Sequence, residues 1–513
     1  MPMVSVGQIR KGAYFDSVTL MAVAREVTEL QGVVDAAVVM GTSENRAILD
    51  ASGLLLAEFD DAGDTDLLVA VKADSDEAAG AAFAAVTDLL AAAGKRPGGG
   101  DAGMVPGSLE GALEEMPDAQ LALISVAGKY AGAEAMKALQ RGLHVMLFSD
   151  NVPLDTEVGL KAHAREHGLL VMGPDCGTAI INGVPLAFAN VVPRGSVGIV
   201  AAAGTGLQEV SSIIANEGAG VSQAIGTGGR DVKSAVGGTT FVQGIEMLGA
   251  DPETGVLLLV SKPPDPGVLE RIAAAAAATG KPVVSVFLGA PEASTSATLE
   301  EAALTAVALA RGTDPGDVSR RLAGRDAESA AAARTIAAGL DPRRRYVRGL
   351  FSGGTFCTEA QLQFTGVDPG VHSNAPAGGA VELEDPLRSV GHTIVDLGAD
   401  EFTVGRPHPM IDYSLRNRRI LAEAEDPETA VILLDVVLGY GSNPDPAGEL
   451  EEVIAAAAAR VPVVCSVTGT DSDPQDRRDV VARLIAAGAT VLPTNAAASR
   501  FAAAIVREIG GGS

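Results

Sequence analysis

From Ala119 onward, short apolar segments alternate with helical patterns of about ten to fifteen residues almost to the end of the chain. Connections of this length join parallel strands, because a tight hairpin turn can join only antiparallel ones. The alternation therefore predicts doubly wound parallel sheets that are covered by helices on both faces. In such sheets ligands bind beyond the carboxyl ends of the strands, so function is expected in the turns at those ends.

Two glycine-rich turns lie at such strand ends, one after the apolar segment that begins at Ser196 and one after the segment that begins at Ala430. Each turn opens a predicted helix, whose first N–H groups are unpaired and carry the positive end of the helix dipole. Glycine lets an anion approach this backbone closely. We expect the two helix starts to face each other and to hold one phosphate, through Gly204, Thr205 and Gly206 on one side and Gly439, Gly441, Ser442 and Asn443 on the other.

Composition narrows the class of protein. The formal net charge of −27 argues against a nucleic-acid partner, because nucleic-acid phosphates require basic surfaces. The longest apolar runs end well before membrane-spanning length, and the three cysteines fit no metal-ligand spacing. We therefore expect a cytoplasmic protein that acts on a small anionic molecule, has no membrane partner, and forms a homo-oligomer or a hetero-oligomer with other subunits.

The motifs around these turns resemble those of the FdrA family, which is built like a succinyl-CoA synthetase with the ligase domains of its two subunits joined. Residues 118–311 resemble the α-subunit, through the segments 124–128, 172–177, 197–205 and 225–231. Residues 345–511 resemble the carboxy-terminal domain of the β-subunit, through the segments 351–357, 395–398 and 432–439. In the synthetases a phosphate is held between one helix start of each subunit, which the resemblance carries over to the two turns described above.

The pattern and the resemblance together predict an α/β fold. It would be a succinyl-CoA synthetase-like array of doubly wound parallel-sheet domains, Rossmann-like and flavodoxin-like, with a small N-terminal α/β domain. A chain of 513 residues is long enough for about three or four domains. The predicted segments are a small α/β domain, compatible with a ferredoxin-like fold, at 1–96; a Rossmann-like domain of CoA-binding type at 110–192; a flavodoxin-like ligase domain of α-type at 193–312; a helical linker at 313–344; and a flavodoxin-like ligase domain of the β carboxy-terminal type at 345–513.

The chain departs from the synthetases in the parts that carry their phosphate relay. Their phosphate-accepting histidine lies in a Gly-His-Ala-Gly loop, whereas residues 289–295 of this chain contain no histidine. Lys262 stands about where a glutamate orients that histidine. The amino-terminal CoA-binding loop is replaced, and the chain shows no ATP-grasp domain. These departures favour a reaction that has no phosphohistidine step.

Some FdrA relatives are implicated as subunits of an oxamate carbamoyltransferase, which converts oxalurate and phosphate into oxamate and carbamoyl phosphate in allantoin breakdown. Our leading hypothesis is therefore a subunit of such a phosphate-dependent carbamoyltransferase, with phosphate as a substrate and no need for CoA or a nucleotide. The first alternative is an ADP-forming acyl-CoA synthetase component, which would use CoA and a nucleotide and would need a partner. The second alternative is a non-catalytic subunit that binds an acyl phosphate or a CoA ester.

Several further side chains are candidates for handling the substrate. The catalytic candidates are Lys262, Arg406 and His408; the last two lie in a Gly-Arg-Pro-His-Pro segment that resembles FdrA proteins, or that is simply a proline-stiffened surface loop. Glycine turns and their neighbours are expected to bind the substrate, through Asp175, Cys176, Gly228, Gly229, Arg230, Gly353, Gly354 and Thr355. No metal site is predicted with these residues, although Asp396, Asp400 and Glu401 would suit Mg²⁺ at a phosphate if they are not helix caps. The Cys176 thiol is either reactive beside a helix start or a small buried apolar group.

Overall fold

The computed structural model describes residues 3–510, apart from residues 14, 16, 29, 52, 94–105 and 404–406. The chain divides into two compact units, the first made of residues 1–119 with 400–408 and the second of residues 120–399 with 409–513. Within the described ranges, no helix is both long and apolar enough to cross a membrane.

The first unit contains a three-stranded antiparallel sheet with the order β1-β3-β2. The strands are β1 (Val4–Arg10), β2 (Val33–Met40) and β3 (Leu67–Ala73). Because β1 and β2 run in the same direction with β3 between them, the sheet has the split β-α-β arrangement of ferredoxin-like domains. The helices of this unit are α1 (Ser17–Thr28), α2 (Ser43–Ala51), α3 (Asp76–Ala93), α4 (Leu109–Glu115) and α13 (Asp400–Thr403).

Both faces of β3 are buried, since successive side chains of a strand point to opposite sides of the sheet. Val69 and Val71 pack with residues of α1 and α3 on one face. Leu68 and Ala70 pack with Phe59 on the other face. This small domain therefore has a core of its own.

The second unit begins with a short parallel sheet of order β4-β5-β6. Its strands are β4 (Leu121–Ile124), β5 (His144–Leu147) and β6 (Val171–Met172), and its helices are α5 (Gly128–Gln140) and α6 (Leu154–Glu166). A hairpin of β7 (Thr178–Ile181) and β8 (Val184–Ala187) follows and joins the next sheet at its edge.

That next sheet has six strands in the order β12-β11-β9-β10-β7-β8. Four of them are parallel: β9 (Arg194–Ala201), β10 (Val221–Gly226), β11 (Val256–Ser261) and β12 (Val283–Phe287). The accompanying helices are α7 (Gly204–Asn216), α8 (Thr239–Ala250), α9 (Pro266–Ala278) and α10 (Leu299–Ala310). A long helix, α11 (Gly316–Ala338), leads from this sheet to the last one.

The last sheet has seven parallel strands in the order β15-β14-β16-β13-β17-β18-β19. The strands are β13 (Tyr346–Phe351), β14 (Val371–Ser373), β15 (Val381–Glu382), β16 (His392–Asp396), β17 (Thr429–Val437), β18 (Val463–Thr468) and β19 (Thr490–Leu492). The helices are α12 (Gly354–Gln363), α14 (Ser414–Glu425), α15 (Pro446–Ala458), α16 (Arg477–Ala486) and α17 (Asn495–Gly510). All nine residues of β17 are buried, because a central parallel strand is covered on both faces.

The strand orders place one topological switch point in each large sheet. Beside β9 lie β10 on one side and β11 on the other, and beside β13 lie β16 and β17 in the same way, as in flavodoxin-like sheets. The helices that follow β9 and β13, which are α7 and α12, start at these switch points. One continuous apolar core joins both sheets and includes Val197, Leu207, Phe351, Phe356 and Phe501. The predicted α/β fold with parallel sheets and a small N-terminal domain is confirmed.

Candidate anion-binding site

The starts of α7 and α12 are in direct contact. A Cβ added to Gly353 would lie 2.8 Å from Thr205 Cγ2, and one added to Gly206 would lie 3.1 Å from Thr355 Cγ2. Each helix thus presents a threonine to a glycine of the other. The approach is close because neither glycine has a side chain.

The cap positions of these two helices supply no side-chain acceptor. Ala203 caps α7 and Gly353 caps α12, and neither makes a side-chain hydrogen bond. The first N–H groups that return to those caps come from Leu207 and Cys357, so the N–H groups of the residues before them have no intrahelical partner. Two positive helix ends that meet in this way repel each other unless an anion lies near both.

A buried ion pair holds the start of α12 in place. The carboxylate of Asp435, at the end of β17, accepts hydrogen bonds from the N–H groups of Ser352 (2.8 Å) and Gly353 (2.9 Å) and from the Ser352 hydroxyl (2.9 Å). Arg416 Nη1 lies 3.1 Å from the same carboxylate, and both side chains are fully buried. Burial raises the pKa of Asp435, while Arg416 and the Ser352 and Gly353 bonds lower it. Asp435 therefore orients the backbone that opens α12.

Two charged side chains flank the junction. Lys262 is exposed and follows β11, whose Val260 contacts Gly206. On the other side, Asp396 ends β16, and its Oδ2 would lie 2.6 Å from a Cβ on Gly354. Because that carboxylate already complements the α12 dipole, a further anion fits better toward α7 and Lys262.

The second predicted helix start, at 439–443, has a different arrangement. The helix after it, α15, begins only at Pro446, and its cap is Asp445, whose carboxylate accepts from the Gly448 N–H. An anion is therefore already present at that helix end, in the form of a side chain. The helix whose start packs against the start of α7 is therefore α12, and the prediction that it is the helix after 439–443 is wrong.

The residues of the 439–443 turn are engaged with their surroundings. Gly439 exchanges hydrogen bonds with the Gln475 side chain, and Asn443 Nδ2 donates to Ile411 O and to Glu449 Oε1. Gly441 lies against the Phe188 ring, whereas the Ser442 hydroxyl is buried without a hydrogen-bond partner. The phosphate-binding role of these residues stays a prediction.

The expected substrate residues fall into two groups. Gly353, Gly354 and Thr355 lie at the α7–α12 junction. In the other group, the loop of Gly228, Gly229 and Arg230 packs on the loop of Asp175 and Cys176, since a Cβ on Gly228 would lie 2.2 Å from Pro174 O. Gly228 also has a φ of +79°, which favours glycine. The packing of these two loops therefore explains why residue 228 is a glycine.

The Arg230 guanidinium is occupied by protein groups. Its Nη2 lies 2.9 Å from Glu157 Oε2 and donates to Val152 O. Glu157 in turn pairs with Lys161, which also contacts Asp231 at 2.8 Å; these last three side chains are almost completely buried. The buried network ties the 226–231 loop to α6.

We expect Arg230→Ala to lower the free energy of unfolding by only about 1 kcal/mol, because the guanidinium is half-exposed and Lys161 still neutralises Glu157. Denaturant unfolding followed by circular dichroism measures the change. Arg165→Ala, which removes an exposed pair with Glu246, is the matched control. A loss above about 3 kcal/mol would mean that Arg230 is needed to neutralise a buried carboxylate.

The three cysteines are buried core residues. Burial raises the pKa of the Cys176 thiol to about 12, and Thr178 O accepts its S–H. Burial also raises the pKa of Cys465 to about 12. The pKa of Cys357 is raised by burial and by Asp396, and Lys262 opposes this. Of the two interpretations of Cys176, the structure favours the buried apolar side chain.

The other predicted residues are Arg406, His408 and the three acidic residues considered for Mg²⁺. Arg406 lies outside the described residues. His408 is half-buried and belongs, with Asp400 and Glu401, to the first unit, whereas Asp396 belongs to the second. Among the residues with described placement, no three His, Cys, Asp or Glu side chains cluster as a metal site requires.

Sequence reasoning missed the buried charged residues that support the junction. These are Arg416 and Asp435, together with Glu209 of α7 and Glu359 of α12. Lys161, which supports the 226–231 loop instead, is a further buried charge that the sequence reasoning missed; all five residues are almost fully buried. One signal was available for the two glutamates, because a Gly-Thr-x-x-x-Glu pattern occurs at 204–209 and again at 354–359. Lys161 pairs with Glu157 four residues earlier on α6, whereas Arg416 and Asp435 lie on different elements and meet only in the fold.

Two family models match parts of the chain. Residues 350–505 match the CoA-ligase model, and residues 3–105 match the model of the AllF heavy metal-associated domain. The seven-stranded parallel sheet and the first of these matches together define residues 350–505 as an α/β domain of the CoA-ligase type.

The family follows from a full-length relative. YahF of Escherichia coli (strain K12), described as uncharacterized, is 40% identical over 494 residues, which is 94% of each chain. The chain belongs to the same family as YahF, an FdrA-like family. It is also 27% identical, over 151 residues, to the ADP-forming sulfoacetate-CoA ligase subunit SauD of Bilophila wadsworthia; the match covers 28% of this chain and 50% of SauD, so it spans about half of that relative.

A solved structure of low similarity is the dinucleotide-forming acetyl-coenzyme A synthetase 1 of Ca. Korarchaeum cryptofilum, in complex with phosphate and ADP. It is 17% identical, with a TM-score of 0.29, and the match covers 76% of this chain and 83% of that chain. At this TM-score the likeness adds nothing to the topology described above.

The name of the N-terminal model implies a heavy metal. Residues 3–105 contain neither cysteine nor histidine. Thiolate and imidazole groups are the ligands that such metals prefer. The residues present therefore do not fit a heavy-metal site in this domain.

Proposed function

We propose that this chain is the acyl-group-handling subunit of a CoA-ligase-type enzyme. It binds a phosphate or acyl phosphate at the junction of α7 and α12 and acts with a partner chain that supplies the nucleotide site. The observation that carries the proposal is the direct contact of two helix starts without side-chain caps, at the switch points of two parallel sheets. The match of residues 350–505 to the CoA-ligase model supports it.

Phosphate and CoA titrations test this proposal. By calorimetry we expect the purified chain to bind inorganic phosphate and CoA, and Lys262→Ala to weaken phosphate binding about threefold or more, as loss of one charge-assisted contact implies. Lys137→Ala, which removes an exposed lysine paired with Glu134, is the matched control. If neither ligand binds, with or without a partner, the proposal is wrong.

A second candidate is phosphate-dependent carbamoyl transfer, which the 289–298 loop favours. Where the resemblance places a phosphohistidine loop, this chain has a short loop bound back onto β12. Ser285 N donates to Thr295 Oγ1 (2.8 Å), Thr295 N donates to Ser285 Oγ (3.1 Å), and Phe287 N donates to Ser294 Oγ (2.9 Å). A loop held in this way suits a reaction without a mobile phosphate carrier.

Product analysis separates the two candidates. Formation of carbamoyl phosphate from oxalurate and phosphate, without CoA or nucleotide, would support carbamoyl transfer. Nucleotide consumption that depends on both CoA and a partner chain would support the ligase. Both assays are run with the full chain, alone and with candidate partner subunits.

A further inference from the structure

The two large sheets carry the same short pattern at the same structural position. Residues 204–209 read Gly-Thr-Gly-Leu-Gln-Glu at the start of α7, and residues 354–359 read Gly-Thr-Phe-Cys-Thr-Glu at the start of α12. In both helices the glutamate lies four residues after the threonine, about one turn deeper into the protein. Glu209 is 3% exposed and Glu359 is 0% exposed.

Glu209 binds the start of a helix that belongs to the other sheet. Its Oε1 accepts the Asn495 N–H at 2.9 Å, at the first residue of α17. Its Oε2 accepts the hydroxyl of Thr468, at the end of β18. A residue of the β9 sheet therefore completes a helix start of the β13 sheet.

Glu359 makes the reciprocal contact. Its Oε1 accepts the Leu299 N–H at 2.8 Å, at the first residue of α10, and its Oε2 accepts Asn495 Nδ2 at 2.7 Å. The two receiving helices begin alike, since Thr298 accepts from the Glu301 N–H and Thr494 accepts from the Ala497 N–H. Each half of the junction thus supplies a carboxylate to a helix start in the other half.

Burying a carboxylate costs free energy unless hydrogen bonds or an opposite charge compensate for the lost hydration. Burial raises the pKa of Glu209 to about 7; the Thr468 and Asn495 bonds oppose this, whereas Glu359 and Glu300 add to it. Burial likewise raises the pKa of Glu359, which Asn495, Leu299 and Arg500 oppose. Glu300 itself is paired with Arg325 and Arg500. The helix starts, rather than a direct cation partner, are what the two carboxylates bind.

We propose that Glu209 and Glu359 are positioning residues of the anion site. Each glutamate binds a helix start that belongs to the other large sheet, and together the two glutamates set how closely the starts of α7 and α12 approach each other. The role in anion binding rests on the proposed function. Because α7 carries Glu209 and α12 carries Glu359, loosening either contact lets one helix start move relative to the other.

Glutamine and alanine variants, measured by calorimetry with inorganic phosphate, test the role at the site. Glu209→Ala and Glu359→Ala are each expected to weaken phosphate binding about tenfold, because a buried donor loses its partner and the helix start shifts. Glu209→Gln keeps an acceptor for Asn495 and should bind phosphate within about twofold of the wild type. Glu217→Ala, at the far end of α7, is the matched control and should bind as the wild type does.

Hydrogen exchange tests the reciprocity independently of any ligand. Glu209→Ala should raise exchange at the start of α17, and Glu359→Ala at the start of α10, in each case in the other half. Effects confined to the variant's own half, or unchanged phosphate affinity in both alanine variants, would overturn the proposal. If the wild type binds no phosphate but each alanine variant raises hydrogen exchange in the other half, the proposed function is wrong and the reciprocal helix contacts remain supported.

A pH series tests the buried state of the Glu209 carboxyl. Since the folded pKa of Glu209 lies above its ordinary value of 4.5, its stabilising contribution is complete below about pH 4.5 and is lost as the pH rises through about 7. The wild type should therefore lose Tm relative to Glu209→Gln between pH 5 and 8. A constant difference over this range would contradict the buried position of the carboxyl.

Discussion

Replacing Asp435 by alanine is expected to lower the free energy of unfolding by about 3–5 kcal/mol, because it leaves the buried Arg416 without its counter-charge. The same substitution removes the acceptor of the Ser352 and Gly353 N–H groups at the start of α12. We therefore expect a loss of anion binding together with the loss of stability. Because the chain has no tryptophan, unfolding is best followed by far-ultraviolet circular dichroism.

A double-mutant cycle shows whether the ion pair itself is responsible. Arg416→Leu combined with Asp435→Ala should be clearly less destabilising than the sum of the two single changes, since the double variant buries no unpaired charge. Additive effects would mean that Asp435 acts mainly through the Ser352 and Gly353 bonds. A loss below about 1 kcal/mol for Asp435→Ala would contradict the buried pair altogether.

Gly353→Ala is expected to reduce turnover about 100-fold, the cost that a displacement of about 1 Å can impose on a reacting geometry. The new Cβ would lie 2.8 Å from Thr205 Cγ2 and 2.9 Å from both Thr205 Oγ1 and Phe356 Cδ2, so the side chains at the two helix starts must shift. Steady-state kinetics of whichever of the two reactions the chain supports measures the effect. Phosphate titration shows whether binding is lost with it.

Gly370→Ala is the matched control for that substitution. It adds the same methyl group in the same sheet, just before β14, and a Cβ there would meet no atom within 4 Å. Turnover like that of the wild type is expected. If Gly353→Ala also turned over normally, the α7–α12 junction would not be the site of the reaction.

Much of the fold could be predicted from local patterns. The alternation of apolar segments and helices gave the parallel sheets, and the glycine turn at 204–206 marked the start of α7 correctly. The turn at 439–443 predicts a helix start within the turn itself, whereas the helix starts at Pro446 and already has Asp445 as its cap. A glycine-rich turn shows that a helix begins nearby, whereas the groups that complete its first turn depend on the side chains around it.

The sequence by itself determined the class of sheet, the small N-terminal domain and the FdrA-like family, because these follow from periodicity and from motifs that are continuous in the chain. Only the tertiary structure decided which helix starts meet and which charges are buried beneath them. Thr205 contacts Gly353, Asp435 binds Ser352, and Glu209 binds Asn495 across large separations in sequence. Such pairings depend on how two sheets pack, and the cost of burying a charge is met only once both partners are in place.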